Sequence, residues 1–315
     1  MKRFVLKIVL FVALFAIIYL PAVRLLGGTP LGGNISWVPN NYGHLHSRIG
    51  DIRNYHDVDV LFLGSSHCYR TFDTRIYDAA GIRAFNLGSS NQTPVQTLVL
   101  LQRYLDSLNP GRVVFEVHPD IMKNDGVESA VDLLSNCPVD CNISRMALRL
   151  HNPRTLNSWF YAMMRRKPIP EEDSVITVGT TFNGESVMTD FAYVSGGFVE
   201  LPCWCYRPKP VSTKNIEINP VQTEALQRCL ALLQQRNIPY VLLEVPASKC
   251  LYSAYANHRE FEDVMSSLGP YVNLNDSTSL TSLLVDSHHY FDEDHLNQAG
   301  VEIVNEYLVR CMLLD

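Results

Sequence analysis

The chain opens with an unbroken uncharged run, Ile8 to Val23 (IVLFVALFAIIYLPAV), behind the basic start MKRFVLK. Counting back to Phe4, with Lys7 snorkelling, gives about twenty residues, enough to cross a hydrocarbon core. After a polar stretch to residue 55, short apolar runs alternate with amphipathic ones. Val58–Leu63 (VDVLFL) ends at Gly64 and Arg83–Leu87 ends at Gly88, and both read as buried strands. Thr93–Leu108 has helical spacing and stops at Asn109-Pro110-Gly111; Arg112–Val117 (RVVFEV) is a third strand. Val221–Gln235 is helical, Tyr240–Val245 (YVLLEV) a fourth strand. A helix near 260–267, a strand near 271–274 and a last helix over about 298–312 follow. This alternation predicts an α/β fold with a parallel sheet covered on both faces. Residues 119–215 lack the rhythm and read as an insertion or cap. The organisation expected is an anchor over 1–25, a linker over 26–55, and one domain over 56–315 carrying the insertion.

Charge sharpens the picture of the two ends. The net charge is −6, but the first thirty residues carry Lys2, Arg3, Lys7 and Arg24 and no acid. The rest therefore holds 22 basic against 32 acidic side chains. So acidic a body lacks the footprint that nucleic acid requires. The basic flank predicts that everything after Arg24 lies outside the cytoplasm. A cleaved signal peptide and a buried amino-terminal helix are the alternatives to a retained anchor; Pro21 interrupts the run, but PAVRLLGG offers no convincing cleavage site. Of eight cysteines, Cys137 and Cys141 (NCPVDC) and Cys203 and Cys205 (PCWC) sit in loop-like sequence. Disulfides of unassigned connectivity are expected there, ahead of an irregular metal site. His44 and His46 are expected on the surface of the linker.

Two motifs can carry chemistry. Gly64-Ser65-Ser66-His67 puts a serine just past a buried strand, where its hydroxyl can attack if a base is near and its amide can hold an oxyanion. Alone, the tetrapeptide also fits an ordinary turn or helix cap. Asp292-Glu293-Asp294-His295 stands just before the last helix. An acid three residues before a histidine can orient its ring toward a distant serine, although an acidic helix cap has the same appearance. Asp294 is assigned to surface or capping work. A metal at His288-His289 with Asp292, Asp294 and His295 is the weaker option, since an acid–His pair explains two of these residues without one. No metal and no cofactor is expected.

Taken together, the serine after strand one, FNLGSSNQT after strand two and Asp-x-x-His before the last helix resemble the SGNH (GDSL-type) hydrolase family. They are similar in particular to its membrane-anchored branch, which includes DltD-like and alginate O-acetylation proteins. The resemblance covers about 56–117 and 218–312, outside the insertion. It implies a flavodoxin-like, three-layer αβα fold, with Ser66 as nucleophile, His295 as base and Asp292 as its orienting acid. Gly88 matches the oxyanion glycine, beside the Ser66 amide. Ser65 stands where the family has Asp. The third family block, Gly-x-Asn-Asp, is replaced here by Phe115-Glu116-Val117-His118-Pro119-Asp120, so its oxyanion asparagine is missing; Asn91 and His118 are the candidate substitutes. The function implied is an extracytoplasmic serine esterase or O-acyltransferase acting on acyl, chiefly acetyl, esters of a cell-surface carbohydrate. The implied partners are an acylated envelope polymer and a membrane-bound acyltransferase. A lipid-directed esterase and an inactive scaffold that binds polysaccharide or the acyltransferase are the alternatives.

Overall fold

The computed structural model describes residues 1–39, 43–165, 192–203 and 206–314. Among the described residues there are seven strands: β1 (Val60–Leu63), β2 (Ala84–Asn86), β3 (Arg112–Glu116), β4 (Ala192–Val194), β5 (Phe198–Glu200), β6 (Tyr240–Glu244) and β7 (Tyr271–Asn273). Five of them form one sheet in the order β2-β1-β3-β6-β7. Every pairing in it is parallel. That is the strand order of a flavodoxin-like doubly wound sheet, whose ligands sit beyond the carboxyl ends of the strands.

Strand alternation explains the layers. Leu61 and Leu63 of β1, with Phe85, Val113, Phe115 and Leu242, pack under the helices Pro94–Leu108 and Pro220–Gln235. Val60 and Phe62, with Ala84, Val114 and Leu243, face Phe72, Tyr77, Val301, Val304 and Leu308 on the other side. Both faces are apolar and covered, which is why the strands read as continuous rather than alternating hydrophobic runs. The expected three-layer α/β architecture is present.

The expected insertion is not a separate cap where it is described. Its first half forms helices Val127–Asn136, Cys141–Leu150 and Pro153–Met164. Leu133, Leu134, Ile143 and Met146 of these helices belong to the same core as Leu61 and Phe115. β4 and β5 form an antiparallel hairpin that meets β2, where Asn86 N–H donates to Gly196 O at 2.7 Å. The linker reading needs correction too. Helix Leu45–Asp51 is built into the body, and His44 and His46 are buried. Fully buried Arg48 donates to the carbonyls of Gly43 (2.7 Å) and Gly197 (2.9 Å), with its guanidinium over the Tyr69 ring. Asp51 accepts from Tyr193 Oη (3.1 Å), Ser195 Oγ (3.0 Å) and Gly196 N–H (2.7 Å). The partners of this polar segment come from the hairpin about 145 residues later, so local polarity misled.

Disulfides are not formed at Cys137, Cys141 and Cys203, which are free thiols. Cys137 is buried, and burial pushes its thiol up to about 12. Trp204, Cys205, Arg166 and Lys167 lie outside the described residues. The amino-terminal run forms one helix, Lys2–Leu26, that continues through Pro21 and is long and apolar enough to cross a membrane. Its inner end meets the body: Tyr19 Oη donates to Asn157, and the Tyr19 ring lies edge-on to Phe160.

Candidate active site

β1 runs out at Leu63, and Gly64 turns the chain with φ of 148°. A Cβ at Gly64 would lie 2.3 Å from Glu116 Oε2, so glycine lets the end of β3 approach β1 this closely. Ser65 then caps the helix Ser66–Thr71, its Oγ accepting from His67 N–H at 3.2 Å. Ser66 is the first helical residue and is partly exposed, while its neighbours Ser65 and His67 are buried.

The second part of the site arrives from the far end of the chain. Between Tyr290 and Leu296, paired by an antiparallel bridge, the loop folds around Asp292. Asp292 Oδ1 accepts from the backbone N–H of both Asp294 (3.1 Å) and His295 (2.8 Å). This turn aims the His295 ring across to β1. His295 Nε2 stands 2.9 Å from Ser66 Oγ, although 229 residues separate them. His295 Nδ1 is 3.0 Å from each oxygen of Asp292.

Asp294 is not the surface residue expected. Its Oδ1 is 2.9 Å from His295 Nδ1, and its Oδ2 is 3.2 Å from His67 Nε2. One ring N–H therefore faces three carboxylate oxygens. Burial alone would push the His295 ring down; the charge of Asp294, with hydrogen bonds to Asp292 and Asp294, overrides this and holds it up to about 9. Burial disfavours the Asp294 carboxylate, yet His295 and His67 together hold it well below the usual carboxylate range. At neutral pH the ring is thus an imidazolium donating to Ser66 Oγ, and the base form appears as pH rises.

Gly88 sits where the loop after β2 closes on the Gly64–Ser65 turn, with Ser89 N–H donating to Gly64 O at 3.2 Å. Its own N–H donates to Asn86 Oδ1 at 3.1 Å, so it is already engaged and not an open oxyanion donor. Asn91 also departs from its assignment. Asn91 is half-buried, and its side-chain amide donates to Glu128 Oε2 at 2.9 Å from a backbone φ of 49°. His118, past the end of β3, is buried, and its Nδ1 accepts from Asp120 N–H at 3.3 Å. Burial, reinforced by His67, keeps its ring well below the ordinary imidazole range, hence neutral with the proton on Nε2. The rings of His118, His67 and His295 form a parallel stack with centroids 3.9 and 4.8 Å apart.

Sequence reasoning missed Ser65, His67, Glu116 and Asp294 as members of the site. Glu116 carried a signal, being an acid inside an otherwise apolar strand, and it is 2% exposed. His67, His118 and Asp294 have donor atoms within 4.8 Å of one another. Stacked rings, however, run their in-plane lone pairs side by side instead of converging on one ion about 2 Å from each nitrogen.

No protein-family model and no curated protein matches this chain. Among solved structures it is similar to a GDSL-like lipase from Bacteroides thetaiotaomicron, with 11% identity, 80% of this chain and 86% of that chain covered, and a TM-score of 0.38. It is also similar to the lipase/acylhydrolase from Enterococcus faecalis, with 12% identity, 80% and 94% covered, and a TM-score of 0.37.

Proposed function

We propose that the protein is an SGNH-type serine ester hydrolase or O-acyltransferase. The observation that carries this reading is the contact of Ser66 Oγ with His295 Nε2 at 2.9 Å, with Asp292 on the opposite ring nitrogen at 3.0 Å. In the base form, His295 removes the Ser66 proton as Oγ bonds to the acyl carbon. The resulting imidazolium, held by Asp292 and Asp294, protonates the leaving alcohol, and the acyl group remains on Ser66. A second hydroxyl, of water or of a sugar, then gives up its proton to His295 and takes the acyl group, restoring Ser66. The Ser66 N–H at the start of its helix is the best-placed oxyanion donor, and His118 Nε2–H is the candidate for the place of the missing asparagine.

The substrate class follows from placement. An apolar helix ahead of the body would hold the site beside a membrane, with the acidic body outside the cytoplasm. That setting suits acyl esters, chiefly acetyl, of a cell-surface carbohydrate, with a membrane-bound acyltransferase as partner, as in the DltD-like and alginate O-acetylation branch. A fluorophosphonate probe tests the reaction class directly. Labelling is expected to strengthen as pH rises through about 9 and to vanish in Ser66→Ala. A folded protein that takes no label anywhere between pH 6 and about 10 would instead be a non-catalytic scaffold.

A further inference from the structure

A buried chain of polar groups leads from β3 to the acid beside His295. Glu116 Oε2 accepts from Ser65 N–H at 2.7 Å and lies 2.9 Å from Ser65 Oγ. Ser65 Oγ is 2.9 Å from His67 Nδ1. His67 Nε2 is 3.2 Å from Asp294 Oδ2, and Asp294 Oδ1 is 2.9 Å from His295 Nδ1. Glu116, Ser65 and His67 are all buried, at 2%, 0% and 4% exposure; Glu116 Oε1 has no hydrogen-bond partner among the described residues, and His67 Nε2 meets Asp294 as a charge contact at 3.2 Å without the alignment of a hydrogen bond.

Burial of these groups restricts where the protons sit. In one arrangement Glu116 is a carboxylate and Ser65 donates to it. His67 is then an imidazolium, with Nδ1–H on Ser65 and Nε2–H on Asp294. In the other, the same proton has moved to Glu116, which donates to Ser65; Ser65 donates to His67 Nδ1, and the neutral ring keeps Nε2–H on Asp294. Burial raises the Glu116 carboxyl from its ordinary value, against the opposing pull of His67 and of the Ser65 hydrogen bonds. Both arrangements present an N–H to Asp294. The remaining neutral tautomer would set a bare lone pair against a carboxylate. A hydroxyl at position 65 makes the exchange work, because it donates and accepts at once; the Asp usual there in the resembling family would bring a second charge and no proton.

We propose that His67 is a positioning residue that shares the charge of Asp294 with His295, so that the Glu116–Ser65–His67 chain sets the pH at which Ser66 becomes a nucleophile. The inference rests on the Ser66–His295 reading of the site. Asp292 already orients His295, and a second full carboxylate on the same nitrogen would over-stabilise the imidazolium. The His67 N–H draws off part of that charge. Other charged or titratable groups face the stack: Arg70 from the nucleophile helix, His118, Glu244 at the end of β6, Lys214 and Tyr255. These stay constant across the variants that follow.

The test is an NMR titration of the His295 ring in the full chain, held in detergent micelles, for wild type, His67→Phe and His67→Gln. Phe keeps the ring stack and removes the N–H to Asp294; Gln keeps an amide donor near the position of Nε2. The expected result for His67→Phe is a His295 midpoint raised by about one pH unit, tenfold in proton affinity. His67→Gln is expected to stay within about 0.3 units of wild type. An unmoved midpoint in folded His67→Phe overturns the proposal, and so does an equal shift in both variants. Should His67→Phe fail to fold, His67→Leu removes the same N–H from Asp294 and is expected to raise the midpoint; no shift there overturns it equally. Because the readout does not depend on turnover, absence of Ser66-dependent labelling would overturn the functional reading alone.

Discussion

At the scale of single residues, the site is a problem of one ring nitrogen and two acids. With His295 held up to about 9, kcat/KM on an acyl ester should rise with pH and level off only above that value. Asp294→Asn removes one of the two charges and should move the rising limb down by about one unit or more, so that the variant outperforms wild type near pH 7. A pH–rate profile for both proteins checks this; a limb that stays put or moves up would show that Asp294 does not hold the ring. Asp292→Ala and Asp294→Ala should each be partly covered by the remaining acid. The double variant is expected to lose roughly 10³-fold or more at its best pH. Stability runs the other way. An imidazole held above its unfolded value of 6.5 contributes stability that is complete below that value and is lost as pH rises through about 9.

At the scale of elements, β1 and β3 meet at a turn with no spare room. Gly64→Ala puts a methyl group 2.3 Å from Glu116 Oε2 and 2.7 Å from Glu116 Cβ, at a φ of 148°. It is expected to cost roughly 2–4 kcal/mol, read as a lower midpoint in denaturant with unchanged slope. A loss under about 1 kcal/mol would mean that the turn relaxes freely. Helix Leu45–Asp51 and the β4–β5 hairpin make a second such joint. Asp51→Ala leaves two buried donors, on Tyr193 and Gly196, and the half-buried Ser195 hydroxyl without their acceptor. About 3 kcal/mol should go, and amide exchange over 192–200 should quicken before exchange in the central sheet. Uniform exchange would place the loss elsewhere.

At the scale of the whole molecule, a basic start, an exposed apolar helix and an acidic body make an asymmetric object. Tyr19 and Gly27 of the helix end touch Asn157 and Tyr161 of the body, which leaves little slack between the two. We expect the body to be digested by protease added to intact spheroplasts and to resist release by salt washes. Protection of the body would put the site in the cytoplasm and remove the envelope polymer as substrate.

The strand and helix runs were legible in the sequence because each apolar residue of a buried parallel strand reports its own burial, whatever it packs against. Ser66, Asp292 and His295 stood out for a related reason: a glycine-ended strand and a short acid–His spacing are local patterns. The polar joints are not local. Arg48 and Asp51 looked like linker residues because their partners lie in a hairpin reached only when the sheet is folded. Asp294 looked like a cap until the turn around Asp292 brought it against the same nitrogen, and Gly88 looked like a free donor until Asn86 was seen to take its N–H. Burial of an apolar side chain is paid mostly by the solvent it leaves, so the residue alone predicts it. Satisfaction of a buried polar group needs a named partner at about 3 Å, and only the tertiary structure supplies that partner.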